Sequence, residues 1–168
     1  MREELRLAAF LNEEKPDFSA EARRGAAARL VERLLIEREI ELTRFPAPAP
    51  EDAAKLLEQV RRGREEAQYR EALAAYELTE ATLRQYLLRQ AALLRFIEVR
   101  FRPEVQVSEE DIRNCSQQHA PQTRASSEEA RARCEETLLA AGVDKAVERW
   151  LRDVQARARI VYREEAFQ

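Results

Sequence analysis

The chain has 168 residues, enough for one domain or one domain with an appendage. Its hydrophobic share is 45%, but 28 of those residues are Ala, 36% of the chain is charged and only three residues are Gly, a composition that favours long helices over a thin core and an extended shape. The net charge of −3, with 29 basic and 32 acidic residues interspersed, argues against a nucleic-acid face, and no run of about 18 apolar residues is present to span a membrane.

Spacing predicts a short amphipathic helix over 2–12, with Leu5, Ala8, Ala9 and Leu11 inward. The sequence "NEEKPDFS" interrupts it. Ser19 is a good N-cap for a helix from about Ala20 to Arg44, whose stripe reads Ala26, Ala27, Leu30, Val31, Leu34, Leu35, Ile40 and Leu42. The run "FPAPAPED" stops that helix, because alternate prolines favour extended backbone. Pro50 suits the first turn of a new helix carrying Leu56, Leu57 and Val60, which Gly63 breaks or bends. A further helix holds Tyr69, Leu73 and Tyr76.

Thr79 opens the most regular segment, where Leu83, Leu87, Gln90, Leu94, Ile97 and Phe101 form a heptad-like seam widened by Tyr86, Ala91 and Leu93. That width predicts a globular helix packed on several sides. Pro103 ends it. The stretch "EVQVS" alternates and reads as a short strand or an extended link. Ser108 starts a short polar helix through a near capping box, which fades in "QQHAPQTRAS". Ser126 and Glu129 form another capping box, opening a helix that Gly142 is expected to stop. A last helix follows over 143–158. Ile160 and Tyr162 then alternate with Arg159, Val161 and Arg163 at strand spacing, and a lone strand needs a partner.

Residues that could carry chemistry are few. The single histidine, His119, stands four residues after Cys115, and with Cys134 it could offer three zinc ligands, but the spacing matches no standard zinc pattern. No Ser, Cys or Lys has a recognisable activating setting. There is no glycine-rich phosphate loop, and the carboxylates are spread over helix surfaces. The reading is a non-enzymatic protein with no cofactor and no metal. Cys115 and Cys134 lie almost symmetrically about residue 124. If the flanking helices fold back as a hairpin, the two come within disulfide reach in an oxidising compartment; otherwise they are small, half-buried thiols. Core packing is the default for the aromatics. A subset lining an open groove, Phe10, Phe18, Phe45, Tyr69 and Tyr76, is the functional alternative. Of the basic residues 26 are Arg, a bias of composition before it is an anionic site.

The order of these elements resembles the SurA family of periplasmic chaperones in its N-terminal chaperone region. The words that carry the likeness are "RLVERLLIERE", then "YREALAAYELTEATLRQYLLRQAALLRFIEVRFRPEVQVSEEDIRN" after a proline-rich or polar break. Leu78-Thr79-Glu80 stands at the family's Gly-Leu-Thr word, and Tyr76-Glu77 replaces its glycine region. At the far end "AVERWLRDVQARARIVY" is similar to the family's last helix and strand. The family often carries a parvulin-type prolyl isomerase domain between Ile112 and Ser126; this chain has only "RNCSQQHAPQTRA" there, so no catalytic residue carries over.

The resemblance implies an all-α chaperone core of about six to seven helices spanning 1–168 as one domain. Residues 1–119 would be its N-terminal part and 126–168 its returning helices and strand, with no parvulin insert in the loop 120–126. At most a short strand pairing near 104–107 and 159–163 is expected. It also implies a periplasmic or otherwise exported home, an upstream signal and strand before Met1, unfolded polypeptide clients, and a homodimer formed by segment exchange. The expected function is an ATP-independent holdase. A helical adaptor or structural protein binding one defined protein partner explains the composition equally well.

Overall fold

The structure, a computed structural model, describes residues 1–119 and 127–162, with Pro50, His119 and Ser127 described by backbone alone. The fold is all-α. Among the described residues it has seven α-helices, one 3-10 turn and no strand: α1 (Arg2–Asn12), α2 (Ala20–Leu42), α3 (Pro50–Arg61), α4 (Glu66–Ala75), α5 (Glu80–Phe101), a 3-10 turn (Arg102–Glu104), α6 (Glu109–His119) and α7 (Ser127–Arg157). They divide into two compact units, one of residues 1–95 with the segment from Ala158, the other of residues 96–157. The boundaries fall inside α5 and after α7, away from the 120–126 loop.

Capping sets most helix starts. The Ser19 hydroxyl accepts from the Ala22 amide at 3.2 Å, Thr79 from Thr82 at 3.1 Å and Ser108 from Asp111 at 3.1 Å, so each satisfies one of the orphan donors of a first turn. Pro50 opens α3, and the Ala49 amide donates to the Asp52 carboxylate at 3.2 Å. Three helix ends use a non-glycine residue in the left-handed region: Glu13 (φ 57°), Arg44 (φ 51°) and Glu77 (φ 53°). At each, the next amide reaches back five residues: Glu14 to Ala9, Phe45 to Ile40 and Leu78 to Leu73, all at 2.9 Å. Glu77 thus makes the turn that a glycine would make with less strain.

In the first unit, the core gathers Leu7 and Phe10 of α1, Leu57 of α3, Tyr69 and Leu73 of α4, Leu78 of the following turn, and Leu83 and Leu87 of α5. α2 packs beside α1, and Arg33 of α2 donates to both Glu4 carboxylate oxygens, at 2.8 and 2.9 Å. Its buried residues are Ala26 and Ala27, then Leu35 and Ile36. At 100° per residue those two pairs face roughly opposite sides, so no single stripe describes α2. Leu34 and Leu42 of the expected stripe stand 58% and 69% exposed.

In the second unit, the C-terminal end of α5 meets α7 through an aromatic group. The Phe96 and Phe101 ring centroids are 6.3 Å apart, and Trp150 lies 6.5 and 5.8 Å from them. Val143 and Leu151 of α7 are buried as well. Arg102 grips Glu136 with two bonds, at 3.0 and 2.7 Å. α6 lies along α7, and Cys115 and Cys134 are joined by a disulfide with Cα atoms 5.8 Å apart.

Several expectations need correction. Gly142 does not stop a helix, since α7 runs unbroken from Ser127 to Arg157. A Cβ at Gly142 would stand 2.3 Å from Val105 Cγ1, so the glycine admits the chain before α6 against the helix. The expectation of at most a short strand pairing is met with none among the described residues: Glu104 closes the 3-10 turn, while 105–107 and 159–162 are irregular. Val105 spends its side chain on Gly142 instead of on a β-ladder. Arg163, the Ser126 cap and the 120–126 loop lie outside the described residues. Leu94 of the seam is exposed, with Leu93 and Phe96 buried instead.

Gly142→Ala is expected to destabilise the protein by about 1–3 kcal/mol in urea melts, despite the better helix propensity of Ala, because the new methyl overpacks against Val105. Adding Val105→Ala should recover most of that loss; an additive double variant would contradict the contact. The hydrogen bonds from Arg102, and then its charge, hold the Glu136 carboxyl below its ordinary value of 4.5. A carboxylate lowered on folding stabilises fully above its ordinary value, and the contribution is lost as pH falls through the lowered one. The melting-temperature gap between the parent and Glu136→Gln should therefore be widest near neutral pH and close below pH 4.5. Both groups are solvent-accessible, so added salt should narrow the gap.

Candidate functional site

A concavity in the first unit lies between α1 and α3 and has a volume of about 320 Å³. Its apolar floor is Phe10 and Leu11 from α1, Leu56 and Val60 from α3, and Leu87 from α5. Its polar rim is Glu13, Gln59, Arg62 and Arg64. The helical spacing of Leu56 and Val60, one turn apart, puts both on the side of α3 that faces α1.

Local backbone chemistry builds the rim. α3 ends at Arg61, and Gly63 takes φ 81°, a left-handed turn that suits glycine. That turn brings Arg64 back along α3, where its Nη1 donates to the Val60 carbonyl at 2.9 Å. The same guanidinium pairs with Glu13 and lies 5.6 Å from the Phe10 ring centroid. A flat cation over an aromatic face stays partly hydrated while covering apolar surface. The groove is thus greasy below and charged above.

Next to it sits a tighter polar group. Tyr69 is 1% exposed, and its hydroxyl closes no well-formed hydrogen bond, interacting with the Arg61 guanidinium alone among nearby donors. The Arg61 guanidinium stands 4.7 Å from the Tyr69 ring centroid and pairs with Glu80 at 2.5 Å. Burial pushes the Tyr69 phenol above its ordinary 10, with Arg61 opposing. Burial also raises Tyr86, helped by the Glu4 charge. Both therefore stay neutral at physiological pH.

The five aromatics singled out in the sequence fall in different places. Phe10 is 2% exposed and Tyr69 more deeply buried, so as direct surface contacts both are corrected to core residues, Phe10 flooring the groove. Tyr76 is half-buried; its ring meets Phe10 edge-on at 5.5 Å and its hydroxyl donates to the Glu14 carbonyl at 2.9 Å. Phe18 is exposed, with the Arg6 guanidinium 5.9 Å from its ring centroid. Phe45 is half-buried after the end of α2. Phe10 and Tyr76 are thus brought together, while Phe18 and Phe45 are not part of the groove. Leu56, Val60 and Arg64 were not marked as site residues. Their signal was present in the apolar step of α3 and the glycine two residues past its end.

Cys115 and Cys134 consume each other in the disulfide, which removes both as thiolate ligands. Among the described residues no group of three His, Cys, Asp or Glu side chains could hold a metal, and no helix is long and apolar enough to cross a membrane. Comparison with protein-family models, with curated proteins and with solved structures finds no match to this chain.

Tyr69→Phe removes a buried hydroxyl whose approach to Arg61 falls short of a well-formed hydrogen bond. It should leave stability unchanged or raise it by up to about 1 kcal/mol, whereas Tyr69→Ala should cost about 3–5 kcal/mol. A clear loss in the Phe variant, read in chemical denaturation, would mean that the hydroxyl bonds something in solution.

Proposed function

We propose that this chain is an ATP-independent holdase that binds unfolded polypeptide segments through apolar surface and performs no chemistry on them. The observation that carries the reading is the groove between α1 and α3, with its aliphatic and aromatic floor and its Arg64–Glu13 rim. Such a site accepts an apolar side chain without demanding hydrogen-bond geometry from it, so it is selective for greasiness rather than for sequence. Exposed Leu34 and Leu42 on α2 and the exposed Phe18 add apolar footholds in the same unit. The likeness to SurA-type chaperone cores supports the same class, together with an exported home and a dimer formed by segment exchange. A disulfide between Cys115 and Cys134 suits an oxidising compartment.

The test is aggregation of several unrelated denatured proteins, followed by light scattering without nucleotide. The purified chain should suppress scattering for all of them. Leu56→Glu, which places a charge in the groove floor, should weaken suppression about tenfold. Gln59→Trp, which fills the groove mouth from an exposed position, should do the same with the fold intact by circular dichroism. Absence of suppression for every client would defeat the holdase, and tight binding of one native protein would establish the defined-partner adaptor in its place.

A further inference from the structure

α6 packs along α7, and among the described residues it offers that helix few buried side chains. Of the 11 residues of α6, Ile112 is buried, Cys115 and Ser116 are half-buried, and the others with described side chains are exposed. Ser116 spends its hydroxyl on the Ile112 carbonyl of its own helix, at 2.7 Å. Glu109 pairs with Arg131 at 2.6 Å, but both are open to solvent and salt. A helix of this length does not persist alone in water. To these is added a covalent tie, the bond from Cys115 to the buried Cys134. By contrast, the end of α5 is held to α7 by Phe96, Phe101 and Trp150 and by the Arg102–Glu136 pair, none of which involves α6.

From this asymmetry we propose that the Cys115–Cys134 disulfide is a redox-operated latch: reduction releases α6 from α7 and uncovers Ile112 and Cys134, while the α5–α7 packing stays in place. The reductant is a dithiol. One of its thiolates attacks Sγ of Cys115, the more accessible sulfur, forming a mixed disulfide as Cys134 leaves as a thiolate and is protonated. The second thiol of the reductant then attacks the mixed disulfide and becomes its internal disulfide partner. Cys115 leaves and is protonated, so two electrons and two protons have passed to the cysteine pair. The latch does not depend on the holdase reading.

Hydrogen exchange by mass spectrometry on the full chain, oxidised and in dithiothreitol, tests it, with Trp150 fluorescence read in parallel. Amides of 109–119 should exchange about 100-fold faster after reduction, the size expected for losing a cross-link over a loop of this length. Those of 143–157 and the Trp150 emission should not change. The Cys115→Ala/Cys134→Ala chain should match the reduced protein and ignore the reductant. Unaltered protection of α6 on reduction would overturn the proposal. So would a simultaneous loss of Trp150 signal, which would make the bond a staple of the whole unit rather than a latch on one helix.

Discussion

Leu83 and Leu87 near the start of α5 are buried against α1, α3 and α4, whereas Phe96 and Phe101 near its end are buried with Trp150 of α7. One helix therefore supplies side chains to two cores, and the rest of the arrangement follows from that division of labour. A chain rich in Ala has few large apolar groups to spend, and α5 concentrates several of them. Near the boundary between the units Leu93 and Phe96 are covered and Leu94 is not. The helix looked apolar on several sides because it serves two different sets of neighbours.

Local chemistry was the most legible layer of the sequence. Ser19 and Ser108 cap the helices they were expected to cap, Thr79 caps the segment it was expected to open, Pro50 opens α3, and the 2–12 helix has the expected ends. These signals need only a few neighbouring residues, so they can be read without the fold. Gly142 misled because its signal is ambiguous: a glycine late in a helical pattern reads as a stop, yet here the missing side chain answers Val105, a residue 37 positions earlier. The alternation of "EVQVS" left a strand and an extended link both open, and the extended link is what forms. The alternation is present, but the tertiary use of Val105 overrides it.

The site was legible in part. Aromatic residues drew attention, and Phe10 and Tyr76 do meet. Aromaticity alone could not separate a floor from an interior, so Tyr69 falls in the core. The charged rim was harder to see, because one surface arginine out of 26 carries no mark. Its role comes from the left-handed turn at Gly63, which folds Arg64 back over Phe10. A groove of this make-up asks little of its ligand. That suits the holdase proposed above.

The two points that align α6 with α7 have a further meaning. One is the bond from Cys115 to Cys134 and the other the notch where Val105 meets Gly142. The notch fixes where the chain enters α6 and the bond fixes how far along α7 that helix runs, so the register of the pair is written at both ends of the segment from 105 to 115.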